Sequence, residues 1–192
     1  RDCYVIQLDS DTVTLGPVPE LERAIADRRD FTLLGGDDAR WLPVDAYAAD
    51  LAALGEGAHI QAKTEAAMAR LCAEVGGLTH YVRGCAGFAG FAPGGKGREV
   101  ADAFSSAASA LFGQSVWAQW GSEQVMSNVI VANEGEPVLL PYERYLNFWN
   151  EPVSPEAAFV HFVGTYRYHG GAYAAAARRA MAGLDCGLSA AA

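Results

Sequence analysis

The sequence predicts an α/β domain with a mixed sheet. Three observations lead there. Strand-type apolar runs alternate with amphipathic helical segments along the chain, Pro and Gly punctuate their ends, and no internal repeat interrupts the alternation. With 192 residues and 51% hydrophobic content, the chain can bury the core of one domain.

Taken in order, Tyr4 to Leu8 reads as a buried-type strand. Pro17 and Pro19 open a helix from about Glu20 to Arg29, because proline suits the first helical turn. Phe31 to Leu34 is a short strand ended by Gly35-Gly36, and Asp45 to Leu54 looks helical. A longer amphipathic helix carries Ile60, Thr64, Ala67, Leu71, Cys72 and Val75 on one face and stops at Gly76-Gly77. Strands follow at Thr79 to Val82 and Gly87 to Phe91, then a Gly-rich loop from Pro93 to Gly97. Helices span Arg98 to Phe112 and Gly121 to Val131, and late strands span Val138 to Leu140 and Ala158 to Val163. Ala172 to Leu184 is a closing helix. Residues 1–186 form one domain, and the Ala-rich tail 187–192 is expected to be disordered.

Charge and cysteine usage narrow the function. The formal net charge of −9 argues against nucleic acid and anionic membrane surfaces as partners. Cys3, Cys72, Cys85 and Cys186 are scattered without zinc-ligand spacing, and read as free, mostly buried thiols of a reducing compartment. No apolar run reaches membrane-spanning length and the start lacks a signal-peptide pattern, so a cytoplasmic protein is expected. The chain begins at Arg1, one short strand before its best motif, and is expected to be the C-terminal part of a longer protein.

That motif is Leu8-Asp9-Ser10-Asp11-Thr12, a strand ending in two carboxylates one residue apart. On an extended chain residues i and i+2 project to one side, so Asp9 and Asp11 can face one hard cation together. An Asp-rich strand end is also an ordinary surface turn, and His161 among Phe159, Val160, Phe162 and Val163 is also an ordinary core histidine. Together they form a donor set of imidazole and carboxylates that suits Mn²⁺, with Mg²⁺ as the alternative. Gly164 lets backbone amides approach a phosphate oxygen, and Arg167 can neutralise the same diphosphate. These pieces describe a divalent metal holding a nucleotide diphosphate.

Two other motifs compete. Asp9-Ser10-Asp11-Thr12-Val13 fits the signature of haloacid-dehalogenase-type phosphatases, and Gly36-Asp37-Asp38 mimics that family's distal acidic motif. The acidic pair lies too close to Asp9 to admit the intervening Ser/Thr strand and catalytic lysine, and Lys63 and Lys96 both follow it. Gly90 to Gly97 is a near-miss P-loop, with Gly97 where the magnesium-binding hydroxyl must stand. A flexible loop is the better reading.

Four blocks, in order from Tyr4 to about Leu184, resemble a retaining glycosyltransferase of the GT-A fold, similar to glycosyltransferase family 8 (the glycogenin and bacterial galactosyltransferase group). Asp9-Ser10-Asp11 matches its DxD block, and Cys85-Ala86-Gly87-Phe88 resembles its N-[AS]-G-[VF] block. Glu123-Gln124-Val125-Met126-Ser127-Asn128 resembles D-Q-D-x-x-N, and His161-Phe162-Val163-Gly164-Thr165-Tyr166-Arg167 matches H-x-x-G-x-x-K. The chain departs from the family at Cys85 for asparagine, Glu123 for aspartate, Val125 for an acid, Arg167 for lysine, and Tyr168-His169 for proline and tryptophan.

The resemblance implies transfer of a sugar, with retention, from a nucleotide-diphosphate donor, UDP-sugar above all, to a carbohydrate or other hydroxyl acceptor. It implies Asp9, Asp11 and His161 as metal ligands and Gly164 and Arg167 on the diphosphate. It places Gln124 near the anomeric carbon and Glu123 on the sugar hydroxyls, and it puts the first nucleotide-binding units of the fold ahead of Arg1. Tyr166, Tyr168, Trp117 and Trp120 are candidates for an acceptor site, against the plainer reading that each is packing. A decayed member serving as a binding or scaffold module is the alternative, with Cys85 and Val125 as its signs, and a homo-oligomer fits either reading.

Overall fold

The structure is a computed structural model that describes residues 2–47, 54–55 and 57–189, with 185–189 as backbone only. In chain order the strands are Val5–Leu8 (β1), Thr12–Thr14 (β2), Phe31–Leu34 (β3), Trp41–Pro43 (β4), His80–Val82 (β5), Gly84–Phe91 (β6), Val138–Leu140 (β7), Tyr145–Asn147 (β8) and Phe159–His161 (β9). The helices are Pro19–Ala26 (α1), Ile60–Ala66 (α2), Met68–Val75 (α3), Gly97–Phe112 (α4), Gln114–Trp117 (α5), Ser122–Asn133 (α6) and Ala172–Ser189 (α7). The expected α/β class with mixed strand directions is observed.

The main sheet has the order β1-β6-β3-β7, with β6 antiparallel to both neighbours and β3 parallel to β7. All eight residues of β6 are buried, because layers cover both of its faces. Phe31, Leu33 and Phe88 pack on one side with Tyr145 and Phe159, while Leu34, Ala89 and Phe91 pack on the other against Ile130 and Val131 of α6. Gly90 sits directly beneath the Phe31 ring, where any Cβ would overlap it. Helices α2 to α6 form a lobe around Met68, Leu71, Phe104 and Val125. A second sheet, β2-β9-β8, packs Val13, Val160 and Phe162 near Tyr173 of α7, and β4 and β5 form a separate pair.

Several expectations change. The strand at Tyr4 to Leu8 is not of the buried type: β1 is an edge strand, with Val5 41%, Ile6 42% and Leu8 57% exposed. The long helix from Ile60 is two helices, broken at Ala67 (φ −98°, ψ 5°). Just before the break the Thr64 hydroxyl donates to the Ile60 carbonyl at 2.7 Å, a back-bond of the kind that often bends helices. The segment read as a helix from Asp45 to Leu54 begins as a 3-10 turn, Val44–Tyr47, and residues 48–53 lie outside the described residues. The closing helix runs on to Ser189, past its expected end at Leu184 and into the expected tail. Among the described residues, no helix is long and apolar enough to cross a membrane. Cys3, Cys72 and Cys85 are free, with Cys3 exposed and the other two buried.

Candidate metal centre

The two sheets meet at the DxD segment. The Asp9 N–H still bonds to the Gly87 carbonyl (3.0 Å), extending the β1–β6 ladder by one residue. The chain then turns, closed by the Thr12 hydroxyl donating to the Asp9 carbonyl at 2.9 Å, and enters β2. Asp9 and Asp11 do converge, but through this turn and not along the extended strand that their spacing suggested. Register brings in the rest. Thr12 pairs with His161, His161 pairs with Asn147, and the Phe162 N–H bonds to the Asp11 carbonyl at 2.9 Å. The imidazole, 150 residues away in sequence, is thereby set beside both carboxylates.

One donor atom from each of Asp9, Asp11 and His161 lies within 4.8 Å of the others. His161 Nε2 stands 3.5 Å from Asp9 Oδ2 and 3.5 Å from Asp11 Oδ1. The other ring nitrogen is already committed: Nδ1 lies 3.0 Å from Asn147 Oδ1, and Asn147 Nδ2 donates to the Leu34 carbonyl at 2.8 Å. With its NH₂ on a carbonyl, the Asn147 amide can offer His161 only an acceptor, so the ring proton belongs on Nδ1. Burial pushes the imidazole below its ordinary pKa and outweighs the two carboxylates that raise it. A neutral ring therefore directs a bare Nε2 lone pair at two carboxylates. Three acceptors so placed could hold a cation, and Arg167 already brings a guanidinium to one of them, Asp11.

The donor set and spacing fit a divalent ion. Separations of 3.5 Å are long for hydrogen bonds, yet suit ligand atoms that share one ion. The Asn147 contact is the outer-shell partner that a metal-ligating histidine ordinarily has. Gly87 makes room, because a Cβ there would overlap the imidazole. Cys85 is a neighbour and not a ligand: its Sγ lies 3.3 Å from Nδ1, on the committed side, and burial pushes the thiol up to about 11. Arg167 Nη2 meets Asp11 Oδ2 at 2.8 Å, and its Nε donates to the Gly164 carbonyl at 2.6 Å. Gly164 opens the 3-10 turn Gly164–Tyr168 with φ +53°, a left-handed conformation that favours glycine.

A cleft of about 750 Å³ opens in front of this cluster, within the range of small-molecule sites. Gly84 to Gly87 of β6 lie on it, together with Glu123 and Gln124 from the start of α6. Part of each polar group in α6 is spoken for. Glu123 Oε2 accepts from the Gly121 N–H at 2.8 Å, capping α6, and Gln124 Nε2 donates to Gln61 Oε1 at 2.8 Å. Val125 is buried in the helical core, and Asn128 donates to the Gly84 carbonyl (3.2 Å) and the Tyr81 hydroxyl (3.3 Å), which clamps α6 to β6. Of the proposed aromatic residues, Tyr166 and Trp120 line the cleft, Trp117 is buried in the helical core, and Tyr168 is exposed and does not line it. Sequence reasoning missed Asn147, Trp149, Asp38, His59 and Arg83, which all contribute to the site. Asn147-Phe148-Trp149-Asn150 carries no periodicity that would have flagged it, and only the pairing of β8 with β9 gives it a role.

Compared with known proteins, the chain matches no family model, no curated protein and no solved structure.

Proposed function

We propose that the protein is a GT-A-type glycosyltransferase that moves a sugar, with retention, from a UDP-sugar to a hydroxyl acceptor in a Mn²⁺-dependent reaction. The observation that carries this reading is the convergence of Asp9, Asp11 and His161 at the mouth of a ligand-sized cleft. Further support comes from the position of the pair of aspartates, at the end of an edge strand antiparallel to the long central strand. Among the described residues, no lysine lines the cleft, which weighs against the phosphohydrolase reading of the same aspartates.

Asp9, Asp11 and His161 would hold the ion, which when bound neutralises charge on the diphosphate as it leaves. Arg167, now shared between Asp11 and the Gly164 carbonyl, would add a guanidinium to the same charge, and Gly164 supplies the left-handed turn that seats it. In this reading Glu123 meets the donor sugar hydroxyls and Gln124 lies beside the anomeric carbon. The bond from that carbon to the diphosphate breaks, the acceptor oxygen bonds to it, and the acceptor proton leaves on the departing phosphate oxygen. Gln124 is too weak a nucleophile to intervene, in keeping with attack from the leaving-group face.

The capping role of Glu123 favours a second reading, a module that binds nucleotide without turnover. Incubation with UDP-glucose and UDP-galactose in Mn²⁺, followed by proton NMR, separates the two. Metal-dependent release of UDP with an α-configured sugar product is expected. Metal-dependent binding with no turnover of these or other nucleotide sugars would leave the second reading.

A further inference from the structure

Donors from three directions converge on one oxygen of Glu65, a residue of α2. Gln124 Nε2 donates to Gln61 Oε1 at 2.8 Å, and Gln61 Nε2 donates in turn to Glu65 Oε1 at 2.9 Å. Asn128 Nδ2 donates to the Tyr81 hydroxyl at 3.3 Å, and that hydroxyl donates to Glu65 Oε1 at 3.2 Å. Arg83 Nε meets the same oxygen at 3.2 Å. Gln61, Arg83 and Gln124 line the cleft, while Glu65 stands behind them with its side chain 13% exposed. Gln61 and Glu65 lie four residues apart on α2, the spacing at which helical side chains meet.

The direction of the first chain has a chemical consequence. A carboxylate paired with a guanidinium only accepts, so Gln61 turns its NH₂ to Glu65 and its carbonyl to Gln124. That carbonyl also only accepts, so Gln124 turns its NH₂ to Gln61. The end of the Gln124 amide left for a ligand is its carbonyl oxygen. We propose that Glu65 is a positioning residue for sugar transfer, fixing through Gln61 which end of the Gln124 amide meets the reacting carbon. This rests on the transferase reading above, in which Gln124 lies beside the anomeric carbon. As the bond from that carbon to the diphosphate breaks, positive charge grows on the carbon, and a carbonyl dipole held against it stabilises that charge. The NH₂ end would oppose it. Gln124 forms no covalent bond in this step.

The test is the polarity of the chain. Gln61→Lys pairs with Glu65 and offers Gln124 only donors, so it reverses the Gln124 amide. It should lower kcat about 10- to 100-fold, the cost of a misdirected group at the reacting centre, with KM for the nucleotide sugar and Mn²⁺-UDP affinity unchanged. Glu65→Met removes the acceptor behind Gln61 and should lower kcat in the same way. Adding Gln61→Glu to Glu65→Met gives Gln124 an acceptor that needs no support from Glu65, and should restore most of the lost rate. A merely structural role for Glu65 would not be rescued so. Parent-like kcat in Gln61→Lys, or a double variant no faster than Glu65→Met, overturns the proposal while the transferase reading stands. If the parent turns over no nucleotide sugar, the transferase reading fails, and the chain is read by NMR alone. Exchange of the Gln124 side-chain NH₂ protons with water should then be slow in the parent and fast in Gln61→Lys, and equal rates would overturn the chain itself.

Discussion

His161 Nε2 stays open to the two carboxylates only while Asn147 keeps the ring proton on Nδ1. Asn147→Leu removes that acceptor at similar volume, and should weaken Mn²⁺ binding about 10- to 100-fold while the protein remains folded, as read by calorimetry and circular dichroism. The ring must be neutral to bind metal. Because its pKa in the folded protein lies below the ordinary 6.5, Mn²⁺ affinity should hold through neutral pH and fall only as pH drops through that lowered value. Stability follows the same sign: below 6.5 the unfolded chain takes up a proton that the folded one refuses, so folding weakens as pH falls. A histidine whose affinity is lost already above pH 6.5 would contradict the buried, neutral ring. At this scale Asp9, Asp11, His161 and Arg167 were legible, because carboxylates at a strand end and an imidazole with a nearby glycine and cation are chemically marked. Asn147 was not, since an asparagine in a three-residue strand carries meaning only through its neighbour across the sheet.

Among the elements, β3 and β7 were read to the residue and α4 nearly so, because Gly and Pro mark their ends. The three-residue strands β2, β4 and β8 were missed, since nothing local distinguishes them from loop and only long-range pairing creates them. Asn128 was read as part of a site block, and its position gives it a structural task between α6 and β6. Asn128→Ala leaves the buried Gly84 carbonyl without that donor and should cost about 1–3 kcal/mol in chemical denaturation. An unchanged denaturation midpoint would show that the clamp is idle. The outer edge of β1 presents Val5, Ile6 and Leu8 with no strand paired to it among the described residues. Ile6→Lys should therefore lower concentration-dependent association in light scattering, because a charge on an open edge opposes strand addition.

Over the whole molecule, the α/β class was legible from the alternation of segments, but the site's construction was not. The cleft needs a wall from the small sheet, carrying His161, Asn147 and Trp149, and another from the helical lobe, carrying Glu123 and Gln124, with β6 between them. Such a meeting is a property of packing, and the sequence expresses it only through residues far apart. A net charge of −9 adds a constraint on the proposed function, for an anionic nucleotide would have to approach a protein of its own sign. In the proposed function a bound ion would reconcile them, so the central claim reduces to metal-dependent nucleotide binding. The decisive measurement is a calorimetric titration of UDP into the protein and into His161→Ala, each with and without Mn²⁺. The account predicts binding to the parent only with Mn²⁺, and none to the variant. Equal binding with and without the metal, or binding that survives His161→Ala, would contradict it.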